Sequence, residues 1–270
     1  MSISIIIPIY NQLEDLKKCI ESIVCRTYSD YKIVLVNDNS GHETTEYCNK
    51  LVTDGIAAKH KYIYGRRPKG FTSAVNEGIK LLKADYYCLL NSDTIVYTND
   101  WLNRIEEVFY SGEDVGLVGP VSNSATSQTI PFRIGTSPAM MSLLVSLYTQ
   151  QRYPETKLVN GFCYFISSKV VKSCGLLDER EFPHYGSEDD YSLKVRKAGF
   201  KCKIADNVFV WHKGSASYKD FKHTAIPRNV KHLFVRHGRE YVLGSIKGNA
   251  SGIQYLKDEI EQEGIFYGSS

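Results

Sequence analysis

Five places in this 270-residue chain carry residues suited to chemistry on a charged, oxygen-rich ligand. Asp93, in Leu90-Asn91-Ser92-Asp93-Thr94, is a hard oxygen donor just past an apolar run, suited to a divalent cation that bridges diphosphate oxygens. His212, after Val208-Phe209-Val210-Trp211, offers neutral imidazole as a second ligand and suits manganese as well as magnesium; a lone histidine after a strand equally serves structure. Asp38, in Val36-Asn37-Asp38-Asn39-Ser40, is placed either to accept hydrogen bonds from a nucleobase or ribose or to begin a turn. Ser187-Glu188-Asp189-Asp190 sets three carboxylates in a row. Ser187 as N-cap with Asp190 three residues on reads as a capping box, and acids in a first turn suit the helix dipole. One of the three facing a cleft could also accept a proton from an attacking hydroxyl. Gly70, between Lys69 and Phe71, stands at a helix entrance where backbone N–H groups could meet phosphate.

Positioning these groups falls to alternating strands and helices. Ser2 to Ile9 and Tyr31 to Val36 are short apolar runs of the kind buried on both faces of a parallel sheet. Between them Leu13, Leu16, Cys19, Ile20, Ile23 and Val24 recur at helical spacing. The pattern continues with a strand over 61–64, a helix over 72–83, a strand over 85–90, a helix over 101–110 and a strand over 115–118. Beyond a polar stretch after Pro120, a helix over 139–148, a strand over 158–166, a short helix over 169–174, a helix over 187–198 and a strand over 202–210 build a second half. This alternation predicts an α/β, Rossmann-like, mostly parallel sheet with helices on both faces, in which ligands bind beyond the carboxyl ends of the strands. Asn11, Asp38, Asn91 and Asp93 all follow strands in this reading.

Composition narrows the classes. Lys plus Arg 33 against Asp plus Glu 30 leaves +3, too small a balance to argue for nucleic acid as a partner. A hydrophobic share of 43% and a charged share of 23% suit a globular chain. Seven scattered cysteines form neither a disulfide framework nor a zinc ladder, which suits a reducing cytoplasm. No basic segment with an apolar stretch opens the chain and no run is long enough to cross a membrane, so a cytoplasmic protein is expected. GxGxxG and GxxxxGK are missing, which sets aside a dinucleotide fingerprint and a P-loop; GxSxG and HExxH are missing too.

Taken in order, the motifs resemble a family 2 glycosyltransferase of the GT-A fold, in its rhamnosyltransferase-like subgroup. The similarity runs from Ile3 to about Ser215: Ser4 to Asn11; Ser22-Ile23 through Thr27-Tyr28 with Ile33 to Ser40; Gly70-Phe71, Ala74, Asn76 and Gly78; Leu89 to Thr94, like an Asn-Pro-Asp-Thr variant of the DxD motif; Gly161-Phe162 and Glu188-Asp189 with Arg196 to Phe200; and His212 with Gly214 and Ser215. The resemblance implies a GT-A domain over 1–218, split into a nucleotide-binding half (1–120) and an acceptor-side half (121–218), with a helical extension over 219–270. It also implies a nucleotide-diphosphate-sugar donor, with Tyr10 and Asp38 on the nucleobase and ribose and Pro8, Asn11, Gly70, Asn76 and Ser92 lining the same site. Asn91 and Asp93 would face the ribose and the metal-diphosphate, and His212 would complete the shell of a Mn²⁺ or Mg²⁺ ion. Asp189 would be the general base of an inverting transfer to a glycan or lipid-linked saccharide, in surface polysaccharide synthesis.

Three departures follow from the same comparison. Pro68 stands where the family usually has Asn, Ser92 replaces a Pro, and Asn91 replaces the first acid, which predicts a more weakly held metal. From 219 to 239 the tail carries Lys219, Lys222, Arg228, Lys231, Arg236 and Arg239 against Asp220 alone; this stretch reads as a solvated face, or as a patch for the donor diphosphate or for a lipid-diphosphate at an anionic membrane. Two rivals stand beside the transferase. A nucleotidyltransferase would need a glycine-rich signature after strand one, and Pro8 to Gln12 has no glycine. A silent carbohydrate-binding subunit would be expected to have lost Asp93, Asp189 or His212, all present.

Overall fold

The computed structural model describes residues 2–131, 135–214, 219–247 and 252–266. Its centre is β1 (Ile3–Ile9), every residue of which is buried. Isoleucines alternate across it: Ile5, Ile7 and Ile9 enter one core, with Leu16, Cys19, Ile20 and Ile23 of α1 (Leu13–Arg26), and Ile6 enters the other. β2 (Lys32–Asn37) pairs in parallel on one side of β1, with Ile9 opposite Asn37, and β3 (Lys59–Tyr62) pairs in parallel with β2 after α2 (His42–Thr53). The chain then crosses back through α3 (Phe71–Leu81) to β4 (Tyr86–Leu90), parallel to β1 on its other side. The order β3-β2-β1-β4 therefore reverses direction at β1, and a crevice opens at the carboxyl ends of β1, β2 and β4.

The second half attaches by antiparallel pairing. After β5 (Thr94–Val96) and α4 (Trp101–Tyr110) come β6 (Val115–Val121), α5 (Pro138–Tyr148) and β7 (Glu155–Thr156). β8 (Cys163–Ser167) runs antiparallel between β4 and β6 and is followed by α6 (Ser168–Cys174) and α7 (Ser187–Lys197). β9 (Lys201–His212) lies parallel to β6 and carries β5 and β7 antiparallel on its other edge. Among the described residues nine strands thus make a central, mostly parallel sheet in its first half, flanked by helices. Trp101 fills the core beneath α4, its Nε1–H donating to Thr27 Oγ1 at 2.8 Å and its ring edge-on to Phe165. The tail forms α8 (Lys219–His237), α9 (Arg239–Lys247) and α10 (Gln254–Phe266); Leu256 and Ile260 of α10 pack with Met141 and Val145 of α5.

Three differences from the expected elements bear on function. The strand expected over 158–166 is shorter, because Leu158 to Phe162 form an approach loop before β8. β5, only three residues long, was not predicted, and it positions Asp93. The cap of α7 is Gly186, with φ +83° and no side-chain cap bond, so Ser187 is the first helical residue and the capping box with Asp190 does not form. Asp190 instead points to α8.

Candidate active site

The β2 end of the crevice is organised by Asp38. Its carboxylate has no exposed surface and accepts from the backbone N–H groups of Lys69, at 2.8 Å, and Gly70, at 2.7 Å. It therefore pins the entrance of α3 against the end of β2. Gly70 sits at φ +108°, and a Cβ there would lie 2.3 Å from the Pro183 carbonyl oxygen and 2.7 Å from His184 Nδ1. Asn11 has φ +56°; its N–H donates to Ser40 Oγ at 2.8 Å and its Oδ1 accepts from the Gly41 N–H at 3.0 Å, tying the β1 and β2 ends together. Pro8 is buried in β1 beside them and Tyr10 is half-buried. Asn76 lies inside α3 with its carboxamide engaged on both sides by the backbone of Leu177, donating at 2.9 Å and accepting at 3.2 Å. In this structure Asn76 ties α3 to the 176–186 segment.

At the β4 end, the Asn91 N–H donates to the Phe162 carbonyl at 2.9 Å, and Thr94 Oγ1 donates to the Asn91 carbonyl at 2.7 Å, folding Asn91-Ser92-Asp93 into a tight turn. Ser92 and Asp93 are buried. β5 then pairs with β9 so that Thr94 lies opposite His212, and the Lys213 N–H donates to the Asp93 carbonyl at 3.1 Å. That register brings the two residues together, with His212 Nε2 3.5 Å from Asp93 Oδ1. His212 Nδ1 is 3.1 Å from the Ser124 carbonyl, which can only accept, so Nδ1 carries a proton and Nε2 is the nitrogen that faces Asp93. Nε2 is buried without a hydrogen-bond partner. A buried imidazole nitrogen beside a carboxylate, with its other ring N–H fixed by a carbonyl, is a pair of groups that fits a divalent cation. Among the described residues no cluster of three or more metal-ligating side chains occurs.

At the third corner is the acid run of α7. Glu188 lies over Gly161, 3.0 Å from where a Cβ would stand, and burial raises its carboxyl above the ordinary range. Asp189 is half-buried, and burial, with the charges of Glu188 and Asp190 beside it, pushes its carboxyl from the ordinary 3.8 up to about 8. A carboxyl tuned to neutral pH is the condition for general-base work. Two phenols border this group. Tyr185 has its hydroxyl raised by burial and by the charges of Glu188 and Asp93, and Tyr241 of α9 by burial and by those of Asp189 and Glu188.

One dipeptide joins the metal side to the acid side. Phe162 stacks on the His212 ring, with centroids 5.2 Å apart, while its neighbour Gly161 underlies Glu188. Asp93, His212 and Glu188 therefore gather around Gly161-Phe162, and Asp189 is the next residue of α7. The family model for glycosyl transferase family 2 matches residues 4–174, from β1 to α6.

The chain belongs to glycosyl transferase family 2. It is 32% identical over 219 residues to the glycosyltransferase GlyG of Streptococcus pneumoniae, covering 80% of this chain and 72% of GlyG. It is 28% identical over 186 residues to an uncharacterized glycosyltransferase of Rickettsia typhi, covering 66% of this chain but only about half (54%) of that relative. Among solved structures it is similar to the mannosyltransferase PcManGT of Pyrobaculum calidifontis, in complex with GDP-Man and Mn²⁺, with TM-score 0.65 at 12% identity over 99% of this chain and 75% of that one. It is also similar to GalNAc-T7 with UDP, GalNAc and Mn²⁺, with TM-score 0.65 at 16% identity over 98% of this chain and 54% of that one. The fold is the GT-A fold of these glycosyltransferases. Asp189 and His212 lie beyond the segment the family model matches.

Phe162 entered the sequence reading only as part of the Gly161-Phe162 block, with no role of its own, and two further neighbours of His212 were not singled out. Ser124 acts through its carbonyl, which no side-chain pattern announces. Lys213 makes a bidentate pair with Asp15 of α1, at 2.8 and 2.9 Å, closing the crevice beside His212, and a lysine past a strand end has no signature of its own.

Proposed function

We propose that this chain is a metal-dependent, inverting glycosyltransferase that moves a sugar from a nucleotide-diphosphate donor to a hydroxyl of a glycan or lipid-linked saccharide. The observation that carries the reading is the buried Asp93–His212 pair, joined through Phe162-Gly161 to the acid turn of α7. Pro8, Tyr10, Asn11 and Asp38 would frame the nucleoside, Asp38 acting through the Lys69–Gly70 backbone it holds. Gly70 would let that backbone approach the donor, with Asn76 holding α3 behind it. Asn91 and Ser92 would line the ribose and diphosphate, and Asp93 and His212 would hold the cation. A Mn²⁺ or Mg²⁺ ion bound there offsets charge on a departing diphosphate. With two protein ligands at most among the described residues, diphosphate oxygens and water would fill the remaining positions, so metal and donor should bind together. Asp189 would take the proton of the acceptor hydroxyl as that oxygen bonds to the anomeric carbon on the face opposite the departing nucleoside diphosphate, whose bond to that carbon breaks, which inverts the centre.

A thermal-shift series tests the donor side. UDP, dTDP, GDP and CMP, each with and without Mn²⁺, are added to the wild type and to Asp93→Ala. One nucleotide should raise the midpoint only with Mn²⁺, and Asp93→Ala should lose that shift, since a ligand that binds only the folded state stabilises by RT ln(1 + [L]/Kd). A UDP or dTDP response would support the UDP-sugar or dTDP-rhamnose donors that the motif pattern favours. No response to any of the four would overturn the reading and favour a silent carbohydrate-binding chain.

The reading includes work at the inner face of a membrane in surface polysaccharide synthesis. Among the described residues no helix is long and apolar enough to cross a membrane. α8 does expose Ile226, Val230 and Phe234 near Arg228 and Lys231, an apolar and cationic combination suited to an anionic surface. Arg236 is paired with Asp178 and Asp190, so the patch rests on Arg228, Lys231 and Arg239. Charge reversal at these three should abolish co-sedimentation with phosphatidylglycerol vesicles; unchanged sedimentation removes the membrane from the reading.

A further inference from the structure

α7 starts after Gly186, which has φ +83° and no side-chain cap, and within the turn the Glu188 carboxylate accepts from the Gly186 and Glu188 N–H groups. Further polar contacts of this end come from α8. Leu233 and Asn229 pack directly over Gly186, and Asn229 Nδ2 donates to the Tyr185 carbonyl. Arg236 bridges Asp178, at 2.9 Å, and Asp190, at 3.0 Å. His237 Nε2 lies 2.7 Å from Asp190 Oδ1, while its Nδ1 is 3.2 Å from Lys197 Nζ. An ammonium can only donate, so Nδ1 accepts and the imidazole is neutral with its proton on Nε2, directed at Asp190. The side chains of His237 and Asp190 are 3% and 5% exposed. A buried charge held this way adds little net stability but fixes one orientation, because losing either partner leaves the other uncompensated.

Asp190 and Asp189 are consecutive in the same helical turn, their Cα–Cβ bonds about 100° apart around the axis, so a shift of that turn moves both side chains together. We propose that Arg236 and His237 are positioning residues for Asp189: by clamping Asp190 they set the rotation of the first turn of α7, so the helices after the motif-bearing region complete the acceptor side of the crevice. The inference rests on Asp189 being the base. Tyr241 of α9, which borders Asp189, places a second residue of the same helices there.

The test uses the full chain with His237→Ala, His237→Gln, whose amide can restore the donor to Asp190, and Arg236→Met at a half-exposed site. Nucleoside diphosphate binding with Mn²⁺ is measured by thermal shift, and turnover of the matching nucleotide sugar by nucleoside diphosphate released. Asp189 is titrated by carboxyl ¹³C NMR, its signal assigned by loss in Asp189→Asn. Nucleotide affinity should stay within about twofold, while kcat falls by about 10- to 100-fold in His237→Ala with little change in donor KM. In His237→Gln kcat should recover to within about threefold. The Asp189 midpoint should move in His237→Ala and return in His237→Gln, as Glu188, Asp190, Tyr185 and Tyr241 around it are re-aimed. Wild-type kcat in His237→Ala, or equal losses in the Ala and Gln variants, overturns the proposal. Should His237→Ala fail to fold, Arg236→Met decides: a lowered kcat with intact nucleotide binding supports positioning and an unchanged kcat refutes it. If the wild type binds none of the nucleotides, the transferase reading has failed by itself, and an unmoved Asp189 midpoint in His237→Ala separately sinks the clamp.

Discussion

Asp189→Asn should slow sugar transfer by about 10²- to 10⁴-fold, the range a positioned base contributes, while nucleotide and Mn²⁺ still bind. The pH profile gives a second readout. A base must be ionised to act, and burial with two neighbouring carboxylates holds this one to about 8, so wild-type kcat/KM should rise with pH through about 8 and level off above it. Because Glu188 is buried beside it, the limb belongs to the pair of carboxyls, and it should vanish in Asp189→Asn. Stability should move the opposite way. The folded chain holds the Asp189 proton more tightly than the unfolded chain, whose aspartates ionise near 3.8, so this group's contribution is full below about pH 3.8 and is lost as pH rises through about 8. Asparagine cannot ionise and escapes that loss. Urea unfolding at pH 8.5 should therefore find the variant at least as stable as the wild type, with the gap closing towards pH 4. A variant that is both inactive and markedly less stable at pH 8.5 would place Asp189 among structural residues.

The largest stability effect is expected at Gly70→Ala. Two costs combine: a positive φ of +108°, which side chains rarely adopt, and a Cβ 2.3 Å from a backbone carbonyl that cannot swing aside. Strain of this sort costs about 1–3 kcal/mol and forced overpacking about 1–3 more. A loss of about 2–5 kcal/mol should lower Tm by about 5–15 °C. The functional loss should be larger than that drop suggests. The N–H groups of Lys69 and Gly70 are what Asp38 grips, so displacing them releases the end of β2 and should weaken nucleotide binding even well below Tm. Wild-type nucleotide affinity in a destabilised Gly70→Ala would show that the Asp38 grip does not shape the donor site.

How much of this was legible beforehand varied with the kind of signal. β1 and β4 were read to within a few residues as short apolar runs, and α1 and α4 as helices, since burial on both faces leaves a continuous run in a strand and burial on one face leaves a 3.6 repeat in a helix. α2 was missed: its buried face is Thr44, Cys48 and Leu51, too thin a stripe to stand out among polar neighbours. β3 reads Lys-His-Lys-Tyr and was placed two residues late, since an edge strand needs little apolar content. The residues of the site were visible as types at strand ends, but the pairing of Asp93 with His212 was not, because it arises from the register of a three-residue strand. The cap of α7 was misread since Ser187 and Asp190 fit a local rule, whereas the positive φ of Gly186 and the cations of α8, distant in sequence, decide the outcome. Local chemistry could be read locally; the tail's role depended on what it folds against.

The β5–β9 register has a consequence for how such a chain can diversify. Asp93 and His212 are more than a hundred residues apart, yet backbone pairing of two short stretches sets their distance. Acceptor-side loops between them that do not touch His212, as Asn123, Ser124 and Phe162 do, can lengthen or change without disturbing the pair. One residue inserted within Val208–His212 would turn His212 to the other face. Exchanging acceptor loops is therefore an open route to new specificities, and the β5 and late β9 stretches mark where a graft must not cut.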